Sequence, residues 1–77
     1  MMERTPLTPE RIRADVADVL SVPQDEITDE VQLIDRGLDS IRLMTLIERW
    51  RAEGADVELA ELAERPTVAD WVAKLTR

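Results

Sequence analysis

Four short segments of this chain carry apolar residues at the spacing of an α-helix, and this spacing most constrains what the chain can fold into. A chain of 77 residues holds one domain, so the four apolar faces must share one core. The pattern predicts an all-α four-helix bundle over residues 1–77, with an ordered core from about residue 8 to residue 75. The faces consist of Ile12, Val16, Val19 and Leu20; Leu43, Leu46, Ile47 and Trp50; Val57, Leu59, Leu62 and Ala63; and Val68, Trp71, Val72 and Leu75.

The first two helices have recognisable start and stop signals. Thr8 can cap a helix whose first residue is Pro9, which predicts a helix from about residue 9 to residue 20. The second helix is predicted from Ser40 to about Glu53, because Gly54 is typical of the position just after a helix.

The last third of the chain predicts two shorter helices separated by Pro66. The third helix must end before this proline and is therefore short. Thr67 and Asp70 have the spacing of a capping box with an aspartate variant, which predicts the start of the fourth helix. Trp50 and Trp71 are the only aromatic residues, and both are predicted to lie in the core.

Residues 21–39 form a long connection between the first two helices, because Pro23 prevents continuation of helix one. Loops longer than about 12–15 residues are uncommon in a small domain unless they have a role. We expect this loop to cross the bundle with its apolar residues in the core, and to contain a single helical turn within residues 29–34. Those apolar residues are Ile27, Val31, Leu33, Ile34 and Leu38.

The composition argues against an enzyme. The chain has no cysteine and no histidine, so it lacks a thiolate nucleophile, the commonest general base and the commonest metal ligand. We therefore expect no catalytic residue and no metal site, and the absence of cysteine favours a cytoplasmic location. A net charge of −7 argues against binding nucleic acid or an anionic membrane, and no apolar run is long enough to span a bilayer. We expect a monomer that meets its partners transiently.

The segment Gly37–Ile41 places one hydroxyl group, that of Ser40, at the predicted start of the second helix. Gly37 permits a sharp turn before the helix, and Asp39 adds an acid beside the serine. Backbone N–H groups at a helix N-terminus attract anions, so a phosphate on this hydroxyl would be favoured. Serine is also a common N-cap, and capping alone would explain the dipeptide Asp39–Ser40.

In its setting of four predicted helices and a long apolar loop, this segment resembles the attachment motif of the thiotemplate carrier proteins. The resemblance covers the chain from about Thr8 to Leu75. It implies a carrier-protein bundle with a long first loop and a short third helix. It also implies that Ser40 carries a covalent 4'-phosphopantetheine arm taken from coenzyme A, with Asp39 as a flanking recognition residue. Any thioester sulfur would then belong to the arm.

The residues after the serine are most similar to the aryl carrier proteins of siderophore assembly lines. Those proteins place an apolar residue, an arginine and a methionine after Gly-Leu-Asp-Ser, and arginine-tryptophan-arginine later in the helix. Here the corresponding residues are Ile41, Arg42 and Met44, followed by the segment Arg49–Arg51. The second helix also lacks the strongly acidic character of fatty-acid acyl carriers.

The resemblance implies a role in nonribosomal peptide and siderophore biosynthesis. A phosphopantetheinyl transferase, with Mg²⁺ on its own side, would attach the arm, and an aryl-acid adenylating ligase would load salicylate or dihydroxybenzoate onto it. A condensation or cyclisation domain would then receive the acyl group. Partners in this family meet the second and third helices, and the positions predicted to form that surface are Ile41, Arg42, Met44, Leu59 and Ala63.

Other interpretations of the same residues stay open. The chain could be a peptidyl, polyketide or D-alanyl carrier, which a panel of loading tests would distinguish. It could also be an unmodified helical interaction module in which Ser40 is only an N-cap, which an intact mass after incubation with coenzyme A and a transferase would exclude. Arg49 and Arg51 could form an ordinary solvated face or contact a partner, and Met44 could fill the core instead of contacting a partner.

Overall fold

The computed structural model describes residues 7–76, and this part of the chain contains four α-helices and no strand. The predicted all-α four-helix fold is confirmed. None of these helices is long and apolar enough to cross a membrane. Residues 1–6 and residue 77 of the predicted domain lie outside the described residues, and Leu7 packs against the core. The helices are α1 (Pro9–Leu20), α2 (Ser40–Ala52), α3 (Leu59–Glu64) and α4 (Val68–Leu75), and two 3₁₀ turns lie at Gln24–Glu26 and Leu33–Arg36.

The ends of α1 and α2 follow from local side-chain and backbone chemistry. The Thr8 hydroxyl accepts the backbone N–H of Arg11 at 3.0 Å, as expected of an N-cap. The helix ends where Ser21 adopts a left-handed backbone with φ of 58°. Gly54 has φ of 97° just after α2, and its N–H donates to the carbonyl of Arg51 at 2.9 Å. The predicted boundaries of both helices are therefore confirmed to within one residue.

The two short helices are capped differently from each other. The Thr67 hydroxyl accepts the backbone N–H of Asp70 at 3.2 Å, so the predicted start of α4 is confirmed. The predicted capping box is incomplete, because the N–H of Thr67 donates to the carbonyl of residue 65, and the Asp70 carboxylate pairs with Lys74 at 2.9 Å. A full capping box lies instead at the start of α3, between Glu58 and Glu61.

The core lies where α1 packs against α2 and α4. Trp50 and Trp71 are fully buried there, as predicted, with ring centroids 6.0 Å apart and planes at 81°. The indole N–H of Trp71 donates to the carbonyl of Leu62 at 3.0 Å, which connects α4 to α3. The ring of Trp71 therefore fills the core and also connects two helices through its hydrogen bond.

A buried carboxylate connects α1 to α2. Asp15 is 8% exposed and accepts the indole N–H of Trp50 at 2.8 Å. Its oxygens also pair with Arg11 at 3.2 Å and Arg49 at 3.3 Å, and Arg49 reaches Asp18 at 3.2 Å as well. Arg49, whose role was open from the sequence, is thus half-buried against α1.

The segment before α3 is fastened to the end of α2. Arg51 donates its Nε–H to the carbonyl of Val57 at 2.9 Å, so this arginine also has an intramolecular role. Val57 is buried as predicted, but it precedes α3 instead of forming part of it, and of the predicted apolar face Leu62 is buried whereas Leu59 and Ala63 are exposed. The third helix is therefore only six residues long and relies on packing against α2.

The long loop crosses the bundle and is bonded to the start of α4. The N–H of Leu33 donates to the carbonyl of Pro66, and the N–H of Ala69 donates to the carbonyl of Asp29, both at 2.9 Å. Of the five apolar loop residues predicted in the core, three are buried and one is half-buried. Ile27, Leu33 and Leu38 are buried, and Val31 is half-buried.

The prediction is wrong for Ile34, whose side chain is 62% exposed. The predicted helical turn forms as the 3₁₀ turn Leu33–Arg36, later than the predicted residues 29–34. Successive residues of a 3₁₀ turn point about 120° apart, so the burial of Leu33 directs Ile34 outwards.

Candidate functional site

Ser40 is the first residue of α2, and the residue that caps the helix is Asp39. The Asp39 backbone is extended, and its Oδ1 accepts the backbone N–H of Arg42 at 2.8 Å. Ser40 is exposed, and its hydroxyl has no hydrogen-bond partner within residues 7–76. The interpretation of Ser40 as the N-cap is therefore wrong, since the neighbouring carboxylate performs that function.

Asp39 uses both of its carboxylate oxygens. While Oδ1 holds the backbone N–H, Oδ2 accepts a hydrogen bond from the guanidinium of Arg42 at 2.9 Å. The backbone N–H of Arg42, assisted by the charge of its side chain, holds the pKa of Asp39 below its ordinary value. The carboxylate beside Ser40 is therefore ionised and oriented at neutral pH.

A glycine turn presents these residues to solvent. Gly37 has φ of 102°, a left-handed conformation that side-chain-bearing residues rarely adopt. A side-chain carbon added at Gly37 would meet no atom of residues 7–76 within 4 Å, so backbone conformation explains the glycine. After the turn, Leu38 is buried and anchors the loop, and its N–H donates to the carbonyl of Leu33 at 3.1 Å. This anchor fixes the direction from which the chain enters α2.

A shallow, mainly apolar groove of about 260 Å³ lies beside Ser40. The long loop forms one wall and α3 the other, with the start of α2 between them. Its lining residues are Ile34, Leu38, Asp39, Ser40, Leu43, Leu59, Ala63 and Pro66.

Two of the three large exposed apolar residues of the described part of the chain line this groove. Ile34 and Leu59 line it, and Ile41 follows Ser40 directly. Ile41 is 78% exposed although exposing a branched apolar side chain to water is unfavourable. Exposed apolar residues concentrated at one place on a small domain indicate a contact surface.

The structure separates the predicted partner positions into two groups. Ile41, Arg42, Leu59 and Ala63 are exposed near Ser40, whereas Met44 is only half-exposed and packs against the core. Ile34 and Pro66 also line the groove and were not predicted there. The sequence predicts a helix stop at Pro66, and Pro66-Thr67 before the last helix also matches the aryl carrier proteins, while Ile34 is predicted in the core.

The comparisons with known proteins agree on one family. Residues 10–75 match the family described as phosphopantetheine attachment site. The chain is 54% identical to the isochorismatase of Bacillus subtilis (strain 168) over 69 residues, which are 90% of this chain and 22% of that protein. It is 45% identical over 75 residues to the phenyloxazoline synthase MbtB of Mycolicibacterium paratuberculosis (strain ATCC BAA-968 / K-10), covering 97% of this chain and 6% of that protein.

A third relative is close to this chain in length. The acyl carrier protein ScoB of Streptomyces coeruleorubidus is 48% identical over 66 residues, which are 86% of this chain and 78% of that protein. By contrast, the chain spans less than a quarter of each of the two relatives above. The predicted homology to carrier domains that bear phosphopantetheine is confirmed. The chain belongs to the phosphopantetheine attachment site family, whose members carry 4'-phosphopantetheine covalently.

Proposed function

We propose that this chain is a non-catalytic carrier domain that bears its 4'-phosphopantetheine arm on Ser40. The observation that carries the proposal is the state of the Ser40 hydroxyl at the first position of α2, which is exposed and has no hydrogen-bond partner among the described residues. The residues present fit the group, because Asp39 leaves the hydroxyl free and the start of a helix favours a phosphate. The arm supplies the thiol that the chain, having no cysteine, lacks.

Attachment of the arm is a phosphoryl transfer to the Ser40 oxygen. Oγ attacks the β-phosphorus of coenzyme A, an Oγ–P bond forms, and the bond from that phosphorus to the leaving adenosine 3',5'-bisphosphate breaks. The hydroxyl proton passes to a base of the transferase, because both oxygens of the neighbouring Asp39 carboxylate already accept hydrogen bonds from Arg42. The chain contributes an accessible nucleophile in a fixed orientation, and the transferase contributes Mg²⁺.

An aryl acid is the acyl group that we propose for the arm. The residues of α2 after Ser40, notably Arg42 and Met44, follow the aryl carrier pattern. One relative is named as the synthase of a phenyl-bearing oxazoline ring, and another as an isochorismatase. The partners would then be a phosphopantetheinyl transferase, an aryl-acid adenylating ligase and a condensation or cyclisation domain, with the carrier acting in the cytoplasm as a monomer.

The likeness to the acyl carrier ScoB supports a second candidate, a carrier of another acyl class. The same serine, arm and fold would serve in that case, and only the loading enzyme would differ. Loading of the purified holo protein separates the two candidates. If amino-acid-activating or other acyl-activating enzymes load it and no salicylate or dihydroxybenzoate ligase does, the aryl assignment is wrong and the carrier assignment survives.

The attachment point is tested by intact mass before and after incubation with coenzyme A and a promiscuous transferase. We expect one added 4'-phosphopantetheinyl group on the wild type, none on Ser40→Ala, and one on the control Ser21→Gly, which removes the only other serine. Because Ser40 is not the cap, Ser40→Ala should change the free energy of unfolding by no more than about 0.5 kcal/mol. Modification of Ser40→Ala, or peptide mapping of the arm to another residue, would contradict the proposal.

A further inference from the structure

Arm attachment places a second anion at a helix start that already holds one. The carboxylate of Asp39 accepts the N–H at the third position of α2, which is the interaction a phosphate at this helix end would otherwise compete for. A phosphodiester on Ser40 would lie on the residue directly after Asp39. Like charges at such short range repel, so a cation beside Asp39 would lower the free-energy cost of the second anion.

Arg42 is the cation in position to do this. Its guanidinium lies 2.9 Å from Oδ2 of Asp39, and both side chains are about half exposed, at 49% and 51%. The preceding 3₁₀ turn supplies one acid and one base, Asp35 and Arg36, which cancel in net charge. The compensation of Asp39 therefore depends on Arg42.

We propose that Arg42 is a positioning residue for arm attachment, whose guanidinium compensates the Asp39 carboxylate so that Ser40 can accept and keep a neighbouring phosphodiester. This inference rests on the proposed function and gives Arg42 a role within the domain, beyond contact with a partner. The helix cap does not need the Arg42 side chain, because the capping bond uses the backbone N–H of that residue. Arg42→Gln therefore removes the compensation and keeps the cap.

The test compares wild type, Arg42→Gln and Arg42→Lys, with Arg36→Gln as a control that removes an equal charge from the other side of Gly37. The first measurement is the initial rate of arm transfer from coenzyme A at low salt. We expect Arg42→Gln to lower kcat/KM about two- to fivefold, mainly through KM, as for an exposed ion pair. The loss should shrink at about 0.5 M salt, where exposed charges are screened, and Arg42→Lys should restore most of the rate.

The second measurement needs no transferase during the readout. Apo and fully converted holo forms of each protein are melted at low salt. In the wild type the arm should leave the melting temperature nearly unchanged, whereas in Arg42→Gln it should lower the melting temperature by about 1–5 °C. Arg36→Gln should behave like the wild type in both measurements.

Three results would overturn the proposal. Transfer to Arg42→Gln at the wild-type rate would do so, and so would an equal loss for Arg36→Gln. Slow transfer to Arg42→Gln with no loss of stability in its holo form would also overturn it, because Arg42 would then act on the transferase directly. Failure of the proposed function is distinguishable, since in that case the wild type itself acquires no arm on Ser40.

Discussion

The start of α2 divides two tasks between adjacent residues. Asp39 satisfies a backbone N–H that the helix cannot satisfy itself, and the exposed hydroxyl of Ser40 is left without a hydrogen bond to any residue in the described part of the chain. If Ser40 were the cap, its oxygen would be engaged with the backbone, and modification would cost the helix its cap. The observed division separates the stability of the helix from the availability of the hydroxyl.

The ionisation of Asp39 gives a pH-dependent contribution to stability. The backbone N–H of Arg42 holds the pKa of Asp39 below its ordinary value. A carboxylate with a lowered folded-state pKa stabilises the fold above its unfolded-state pKa of about 3.9, and this contribution is lost as the pH falls through the folded-state value. We expect the melting temperature of wild type to exceed that of Asp39→Asn by a constant margin above about pH 5, and the margin to shrink below about pH 4.

Asparagine caps helices about as well as aspartate, so this variant isolates the charge from the cap. The matched control is Asp56→Asn, which alters an exposed acid that has no hydrogen bond or ion pair within the described residues. A margin for Asp39→Asn that stays constant from pH 7 to pH 3 would contradict the assignment.

At the scale of elements, the loop and α3 form the two walls of the groove beside Ser40. The apolar spacing of the loop predicted that it packs into the core, and this is confirmed at Ile27, Leu33 and Leu38. The side on which Ile34 lies could not be predicted, because helical and 3₁₀ turns place neighbouring residues differently and the sequence does not distinguish them. A short α3 was predicted because this helix must lie between Gly54 and Pro66.

Surface substitutions on α3 test the predicted partner face. Leu59 and Ala63 are exposed and line the groove, so Leu59→Asp and Ala63→Asp should leave the melting temperature nearly unchanged. If partners dock here, each should slow acyl transfer to a downstream domain by an amount equivalent to about 1–2 kcal/mol, as for an ordinary interface contact. A transfer assay run beside thermal unfolding measures both effects.

Two further variants serve as comparisons in that experiment. Ala60→Asp places the same charge on α3 at an exposed position that does not line the groove, so transfer should stay normal. Met44→Asp should lower the melting temperature, because Met44 packs partly against the core, and its transfer rate alone is therefore uninformative. Normal transfer by Leu59→Asp and Ala63→Asp would mean that partners approach Ser40 from the side of the loop.

At the scale of the whole molecule, the sequence predicted the helices and their caps better than the contacts between them. Caps such as Thr8 and Thr67 depend on residues three positions away, so local sequence contains the information. The burial of Asp15 depends on Trp50 and Arg49, which are more than 30 residues away along the chain. The helical spacing places Asp15 at the edge of the apolar face, three residues after Ile12 and four before Val19, and Asp18 farther from that face. Acidic residues are seldom buried, however, and the local sequence does not show the partner on α2 that makes burial of Asp15 possible.

This pair of aspartates gives a direct test of what holds the bundle together. Asp15→Ala would leave the buried indole N–H of Trp50 without an acceptor, and it should lower the free energy of unfolding by about 1–3 kcal/mol. Asp18→Ala is the matched control, since it removes only an exposed ion pair with the same Arg49 and should cost less than about 1 kcal/mol.

Urea unfolding followed by tryptophan fluorescence and by far-ultraviolet circular dichroism measures both variants. Because the two tryptophans pack against each other in the one core, the two signals should change together in a single transition. Equal losses of unfolding free energy for the two variants would show that Asp15 is not the central polar contact between α1 and α2. Separate transitions for the two signals would show that the bundle does not unfold as one core.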